Sequence, residues 1–302
     1  MTLPVFGAAE ITEAASPELI FRAVREALIA HAEGRTSVPP PMVLEFPAQQ
    51  GDCHVKAGHV DGSPHFAVKI ASTFASVNNG LMLVVDATTG VPAGVLADEG
   101  LLTAWRTAAA GALITHAMSP TGIDEVAVLG TGEQARLQVE WLRKLRPLNR
   151  VRVWGRRPEA ADNLCRALQA RGIDARPDAL DAGAPIVITT TAARSPLPVE
   201  AFRTALQVTG VGTDMPGKHE LPEQLFAGAL VATDDHAQCL DHGDFGNAVR
   251  AGVVAADTDI AVGTVLRDGR PAYDGLSIAD LTGIGAVDAA VGSAVLRALT
   301  KS

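Results

Sequence analysis

The chain has 302 residues, 47% of them hydrophobic, and its 25 basic and 34 acidic residues give a formal net charge of −9. This length supports a sizeable core in two domains, while the acidic balance without a basic run disfavours nucleic acids and anionic membranes and favours a small-molecule ligand. The N-terminal stretch lacks a signal-peptide pattern and no apolar run reaches about 20 residues, so we expect a cytoplasmic protein without a membrane span.

The first part of the chain predicts helices beside a hairpin sheet. Ser16 followed by Pro17 is an N-cap signal, and apolar residues at helical spacing continue to about residue 31. Between residues 42 and 97, short β-type runs alternate with turns rich in Gly, Pro, Asp and Asn, which predicts a mainly antiparallel sheet. The alanine-rich stretch 101–118 predicts a helix, and "SPTG" after it marks a domain boundary.

From residue 124 the pattern changes to apolar strands that alternate with helical stretches, which predicts a parallel sheet covered on both faces. The tail "LSIADLTGIGAVDAAVGSAVLRAL" begins with glycines and ends as an apolar helix, which we expect to pack against the first domain. The predicted fold class is therefore α/β. A first domain covers residues 1–118 together with the C-terminal helix 285–302, and a second domain with the parallel sheet covers residues 119–284.

A glycine turn follows the first strand of the second domain. In a dinucleotide fingerprint the first glycine permits the tight turn, the second admits the pyrophosphate, and the small third residue lets helix and strand pack closely. Free N–H groups at the helix start would bind the phosphates. A turn that merely connects two elements is the alternative, but the strand, helix and second strand around it favour dinucleotide binding. The residues of this GxGxxA pattern are Gly130, Thr131, Gly132, Glu133, Gln134 and Ala135.

The second strand ends in Arg156 and Arg157, where an NAD-binding domain places an acid for the ribose 2′-hydroxyl. Without that carboxylate nothing repels a 2′-phosphate, and a guanidinium binds phosphate through paired hydrogen bonds. We therefore predict NADP as the preferred cofactor and NAD as the alternative, although two arginines that only solvate a loop would give the same pattern. Thr190 of "IVITTT" and Gly212 of "LQVTGVG" complete the predicted cofactor site. The three cysteines and the lone histidines lack metal-ligand spacing, so we predict no metal site.

The chain resembles the ornithine cyclodeaminase and mu-crystallin family in "CHVKAGHVDGSPHFAVKIAS", "LLTAWRTAAAGA", "VLGTGEQARLQ", "VGTDMPGKHEL" and "ADLTGIGAVDAA". These stretches lie in family order over nearly the whole chain. The resemblance implies a homodimer whose subunits have an α/β substrate-binding and dimerisation domain, completed by the C-terminal helix, and a Rossmann domain. Two stretches, "VKAGHVDGSPHFAVK" and "DHAQCLDHGD", are similar to the ectoine-utilisation branch, beside the imino acid reductase branch of the family.

The resemblance also implies site residues. It places substrate-carboxylate groups on Lys69 and Arg106, with Arg35 as a weaker match, and the catalytic aspartate on Asp214. A lysine inside an apolar strand needs a ligand or an acidic partner, and an aspartate that follows a strand of a parallel sheet lies at the ligand crevice. Lys69 and Asp214 are therefore predicted to be catalytic, and Arg106, Lys56 and Arg35 to bind substrate. A surface role for Arg106 and a capping role for Asp214 are the alternatives.

Members of the family either cyclise an amino acid with recycled NAD or reduce a C=N bond with NAD(P)H. The arginines after the second strand favour a consumed NADPH, and Lys56 stands where the ornithine enzyme has a carboxylate, so it would repel the ammonium of ornithine. We predict an NAD(P)H-dependent oxidoreductase that reduces a small 2-imino acid such as Δ1-pyrroline-2-carboxylate, or runs the reverse amino acid dehydrogenation. An ornithine cyclodeaminase with bound NAD, and an NADP-dependent ligand-binding protein without catalysis, are the alternatives.

Overall fold

The computed structural model describes residues 2–74 and 77–301 of the chain. Two compact units form, of which unit 1 comprises Met1–Thr107 and Ile284–Ser302 and unit 2 comprises Ala108–Gly283. The units divide inside the helix that covers residues 101–118, whereas the sequence places the domain limit after that helix; the limit at residue 118 stays a prediction. None of the described helices is long and apolar enough to cross a membrane.

Short hairpins connect most strands of unit 1, whereas strand-helix crossovers connect the strands of unit 2. The strands are β1 (Val5–Gly7), β2 (Thr36–Ser37), β3 (Met42–Phe46), β4 (Gly51–Val60), β5 (His65–Phe74), β6 (Val77–Asp86), β7 (Pro92–Ala97), β8 (Glu125–Leu129), β9 (Arg150–Trp154), β10 (Ala175–Pro177), β11 (Ile186–Thr189), β12 (Gln207–Gly210), β13 (Leu230–Thr233), β14 (Ile260–Ala261) and β15 (Ser277–Asp280). The α-helices are α1 (Ala8–Ala14), α2 (Pro17–Ala32), α3 (Leu101–Met118), α4 (Glu133–Leu142), α5 (Pro158–Gln169), α6 (His236–His242), α7 (Asp244–Arg250), α8 (Val262–Asp268) and α9 (Gly285–Leu299).

Unit 1 contains one sheet in the order β1-β7-β6-β5-β4-β2, in which β3 also pairs with β4. The neighbours from β4 to β7 are antiparallel, as the hairpin pattern predicts, and β1 joins β7 in parallel. One cross-strand row on this sheet runs through Lys56, Lys69 and Met82, all of them buried. Helix α9 covers this face, since a Cβ added to Gly292 would lie 3.5 Å from the Met82 sulfur. The prediction that the C-terminal helix packs against the first domain is confirmed.

Two helices of unit 1 begin where the sequence predicts. The hydroxyl of Ser16 accepts a hydrogen bond of 3.2 Å from the N–H of Leu19, and Pro17 occupies the first turn of α2, where its missing N–H costs nothing. The side chain of Asp98 accepts a hydrogen bond of 2.7 Å from the N–H of Leu102 in the first turn of α3. Local capping signals therefore set the start of both helices.

Unit 2 contains an all-parallel sheet in the order β10-β9-β8-β11-β12-β15-β13-β14, which confirms the Rossmann-type prediction. The strands β11, β12 and β15 are buried along their whole length, which explains the apolar run at β11. From β8 the chain proceeds outward to β9 and β10 and then returns to β11 on the other side of β8. Ligand crevices open at such a reversal, at the carboxyl ends of the strands.

Strand β15 is absent from the prediction, which describes only a tail that begins with glycines and ends as an apolar helix. Its four residues are inserted between β12 and β13, and Asp280 is opposite Gly210 on one side and Thr233 on the other. The strand is short and followed at once by "LTGIG", so the sequence contains no alternation of apolar and polar residues that would predict a strand here. Its position depends on pairing with strands that are far away in the chain.

Candidate functional site

Unit 1 buries a cluster of charged side chains under α9. The ammonium of Lys69 lies 2.9 Å from Oδ2 of Asp288, and Nε of Arg106 lies 3.0 Å from Oδ1 of the same carboxylate. Lys69, Arg106 and Asp288 are 2%, 6% and 1% exposed, and Lys56 is the cross-strand neighbour of Lys69 on the buried face. Two cations thus share one carboxylate away from water, an arrangement that leaves positive charge for a further anion.

The electrostatics of this cluster follow from burial and from the crowding of like charges. Burial, and then the charge of Arg106, lower the pKa of Lys69 to about 7, against the attraction of Asp288. Burial alone would raise the pKa of Asp288, but the charges of Arg106, Lys69 and Lys56 outweigh it and hold that pKa below its ordinary value. Lys69 is therefore poised to change protonation near neutral pH, whereas Asp288 remains a carboxylate.

In unit 2 the glycine turn lies between β8 and α4, as predicted. Gly130 has φ of +136°, in the region that favours glycine, and a Cβ there would lie 2.3 Å from the Thr190 hydroxyl. Gly132 is the N-cap of α4, and the side chain of Ala135 is fully buried beneath the helix. The structure therefore brings Gly130 and Thr190 together at the point where the strand order reverses.

The residues around this turn fit a dinucleotide. The hydroxyl oxygen of Thr190 is buried and has no hydrogen-bond partner among the described residues, so a ligand group is free to take that position. Within the described chain, a Cβ added to Gly132 would meet no atom within 4 Å, so packing does not require glycine there. The first N–H groups of α4 lack intrahelical partners and form an anion site. Glu133 is exposed in that first turn, so only its backbone N–H suits a phosphate.

Two arginines follow the end of β9, where the sequence predicts a 2′-phosphate site, and that role stays a prediction. Arg156 and Arg157 are exposed after the strand, and neither guanidinium forms an ion pair with the part of the chain that the structure describes. Gly155 packs against the turn, since a Cβ there would lie 2.4 Å from Cγ2 of Thr131. The loop after β9 is therefore adjacent to the glycine turn, and its arginines are available to a ligand.

A network of buried carboxyl groups occupies the carboxyl ends of the other strands. Glu220 accepts four hydrogen bonds, from the N–H and hydroxyl of Thr191, the hydroxyl of Thr189 at 2.9 Å and the N–H of Gly212 at 2.7 Å. The backbone N–H of Gly212 is thus already used within unit 2. Burial raises the pKa of Glu220 in spite of these donors. Sequence reasoning missed Glu220, because its donors come from two separate strands.

Asp244 and Asp280 extend this network. The N–H of Glu220 donates to Asp244 at 3.0 Å, and Asp280 accepts from the N–H of Phe245 at 2.9 Å and the hydroxyl of Thr213 at 3.2 Å. Burial, followed by the charges of Asp280 and Glu220, raises the pKa of Asp244 well above its ordinary value. Burial, together with neighbouring carboxylates, raises the pKa of Asp280 to about 7. At neutral pH the network therefore retains protons.

Asp214 follows β12 in the same unit. Thr213, whose hydroxyl donates to Asp280, precedes it, and the carboxylate of Asp214 forms an ion pair with Lys218 four residues later. The side chain of Asp214 is 51% exposed. It therefore lies at the edge of the sheet where the ligand crevice is expected.

The structure does not bring Arg35 into the buried cluster of unit 1. Arg35 is exposed and donates from Nε to Glu33 at 2.9 Å, so its predicted role in substrate binding stays a prediction. The cluster instead contains Asp288, which sequence reasoning missed. The signal was a single acidic residue in the otherwise apolar "GAVDAAVGSAV" helix, since an acid at such a position requires a buried cation.

Comparison with known proteins gives the family. The model of the ornithine cyclodeaminase/mu-crystallin family matches residues 5–301. A putative dehydrogenase of Rhizobium meliloti is 33% identical over 285 residues, which cover 89% of this chain and 87% of that protein.

Two solved structures share the fold over almost the whole chain. An archaeal alanine dehydrogenase, described as a dimer with bound NAD, has a TM-score of 0.91 and 26% identity over 100% of this chain and 97% of its own. The iminosuccinate reductase of Paracoccus denitrificans, in complex with NAD⁺, has a TM-score of 0.91 and 25% identity over 99% and 97%. The resemblance read from the sequence is thereby confirmed: the chain belongs to the ornithine cyclodeaminase/mu-crystallin family and is an NAD(P)-dependent oxidoreductase of that family.

Proposed function

We propose that the protein is an NADPH-dependent reductase of a small 2-imino acid, such as Δ1-pyrroline-2-carboxylate, or catalyses the reverse dehydrogenation of the amino acid. The observation that carries this proposal is the buried pair Lys69 and Arg106, which share the one carboxylate of Asp288. Buried positive charge that exceeds its internal partners suits the carboxylate of a substrate. Both structural relatives are named for reactions of this class of compound.

Each reacting group has a proposed role. Lys69 and Arg106 bind the substrate carboxylate, Lys56 adds positive charge beside them, and Asp214 carries the proton of the imine nitrogen. When bound, NADPH supplies the hydride that adds to the carbon of the C=N bond, so that imine, hydride and one proton give the amine and NADP⁺.

The cofactor site consists of the turn from Gly130 to Ala135, with Thr190 and the loop after β9. Within it, the exposed guanidinium groups of Arg156 and Arg157 support NADP, since they follow the strand end where an acid would select NAD. The backbone N–H of Gly212 donates to Glu220. We therefore propose that Gly212 helps to shape the ligand crevice.

The cyclodeaminase alternative is disfavoured by the charge of unit 1. Lys56 and Lys69 are opposite each other on neighbouring strands, and both lie close enough to Asp288 to lower its pKa. A substrate with a terminal ammonium would add another positive charge to a buried cationic cluster. The imino acid has only the carboxylate to place there, so its charge is complementary.

One pair of assays tests the proposal. The protein is incubated with NADPH and Δ1-pyrroline-2-carboxylate, and separately with NAD and ornithine. We expect oxidation of NADPH in the first mixture and no change in the second. Release of proline and ammonia from ornithine without net NADH would establish the cyclodeaminase instead, and cofactor binding without turnover in either mixture would establish a binding protein.

The other face of the unit 1 sheet supports a homodimer. Met42 of β3, Val55 of β4 and Ile70 of β5 form one cross-strand row on the face opposite to Lys56, and Met42 and Ile70 are 56% and 41% exposed. Apolar side chains in such a row are costly in water, and a second copy of the chain would cover them. We expect light scattering to give the mass of a dimer, and Ile70→Glu to give a monomer; a monomeric unsubstituted protein would contradict this.

A further inference from the structure

Helix α9 approaches the sheet of unit 1 through two glycines. A Cβ added to Gly285 would lie 2.0 Å from the carbonyl oxygen of Ala57, and one added to Gly58 would lie 2.3 Å from the carbonyl carbon of Gly285. Because both obstacles are backbone atoms, neither contact can relax by a side-chain rotation. The first residue of α9 is therefore fixed against β4 at a defined point.

This contact sets the position of Asp288. Asp288 follows Gly285 by three residues, so it lies almost one turn further along α9 on the same side of the helix. There its carboxylate meets Lys69, which is on the strand next to β4. The buried neighbours of Asp288 along the helix are Val287 and Ala289, so the carboxylate depends on Lys69 and Arg106 for stabilisation.

The contact with Asp288 uses only part of the donor capacity of the two cations. Arg106 contacts Asp288 through Nε. Its two Nη groups form no ion pair with another carboxylate in the described residues. An ammonium has three N–H donors, and one of those of Lys69 is directed to Asp288. The remaining donors suit the two oxygens of a second carboxylate.

We infer that Asp288 is a positioning residue that favours the ammonium form of Lys69 and holds Lys69 and Arg106 in one orientation for the carboxylate of the ligand. Asp288 does not itself bind a negatively charged ligand, which it would repel. The inference rests on the proposed carboxylate clamp and adds the group that favours its charged form. It also explains why an acid is buried in an otherwise apolar helix.

The groups that face Lys69 make the expected pH dependence specific. Arg106 and Lys56 favour its neutral form, while Asp288 favours the ammonium. The charge of Lys69 also acts to lower the pKa of Asp98, which caps α3, although burial raises that pKa overall. Removing the charge of Asp288 therefore leaves Lys69 between two cations, and its proton is lost at a lower pH.

The experiment measures binding of pyrrole-2-carboxylate, a planar carboxylate probe, to the full chain with NADPH present. Titration calorimetry is performed at about pH 6 and about pH 8 on the unsubstituted protein, on Asp288→Asn and on the control Asp162→Asn. We expect Asp288→Asn to weaken binding at least about tenfold at pH 8 but less than about threefold at pH 6, because low pH restores the ammonium. The control, an exposed acid on α5, should bind as the unsubstituted protein does.

Equal weakening at both pH values would overturn the inference, since it would indicate only a structural role. Should Asp288→Asn fail to fold, Asp288→Glu provides the test: it keeps the charge and is expected to keep the pH dependence of the unsubstituted protein, and a shift to lower pH would contradict the inference. If the unsubstituted protein does not bind the probe at pH 6, the clamp and the inference both fall. If it binds the probe but does not reduce the imine, only the proposed reaction falls.

Discussion

Unit 1 buries basic side chains and unit 2 buries a group of acidic ones, and the two sets differ in their hydrogen-bond partners. Unit 1 places Lys69 and Arg106 on a single carboxylate, so the cations have more donors than their partner can accept. Unit 2 buries Glu220 and Asp280 with donors from backbone N–H and hydroxyl groups, four of them on Glu220. The comparison teaches that buried ionisable groups with unused hydrogen-bonding capacity indicate a ligand, whereas a buried group with filled capacity, such as Glu220, indicates a structural role.

The largest expected effect comes from the cationic side of this comparison. In Lys69→Met, Asp288 keeps Arg106 as a partner, so we expect the chain to fold but to lose half of the carboxylate clamp. Loss of a buried charged partner lowers kcat/KM for the imino acid by about 10²- to 10³-fold. Steady-state kinetics measure this, with Lys144→Met, an exposed lysine of unit 2, as the matched control. Activity within about threefold of the unsubstituted protein would remove Lys69 from the site.

A smaller effect is expected at the exposed arginines of unit 2. Replacing Arg156 with Asp and Arg157 with Ser removes two guanidinium groups and introduces the acid that selects a ribose hydroxyl. We expect KM for NADPH to rise at least about tenfold while KM for NADH falls or stays constant. Arg176→Ser, at an exposed arginine of β10, is the control. An unchanged KM for NADPH would show that these arginines only solvate the loop.

The acidic network should affect stability more than chemistry. Because the pKa of Asp280 is raised to about 7 by burial, the folded state holds a proton that the unfolded chain releases near pH 4, so this group lowers stability as pH rises from about 4 to about 7. Asp280→Asn removes that loss, and its amide can accept from Phe245 and donate to Thr213. We expect Tm at pH 7.5 to be unchanged or higher by about 2–4 °C, measured by differential scanning calorimetry. A Tm that falls, with the pH slope of the unsubstituted protein retained, would contradict this.

The smallest expected effect is the uptake of protons when the ligand binds. The pKa of Lys69 is lowered to about 7, so at pH 8 most of the free protein has a neutral amine there. A carboxylate ligand that needs the ammonium should therefore take up as much as about one proton on binding at pH 8, and almost none at pH 6. Calorimetry in two buffers of different ionisation enthalpy measures this uptake. The same uptake in Lys69→Met would show that another group titrates.

Much of the fold can be predicted from the sequence because the signals that determine it are local. The helix α3 has the predicted limits of residues 101 and 118, and the strand, glycine turn and helix around Gly130 occur where the fingerprint requires them. Within the site, the sequence singled out Lys69 because a lysine in an apolar strand calls for a partner. These features depend on neighbours a few residues away.

The rest depends on contacts between distant segments. Asp288 meets Lys69 from 219 positions further along the chain (288 − 69), and no spacing rule links them. Glu220 collects donors from the ends of two strands, and the residues around it give no periodic pattern. Strand β15 is recognisable only by its place between β12 and β13. In each case, contacts between distant segments determine a structure that local propensity does not predict.

The late position of β15 in the chain bears on how the protein emerges from the ribosome. Until residues 277–280 have been made, β12 and β13 have no strand between them, and their N–H and C=O groups remain open edges. The nascent chain must therefore hold this part of unit 2 in an incomplete state while residues 211–276 are synthesised, which exposes it to aggregation and to chaperones.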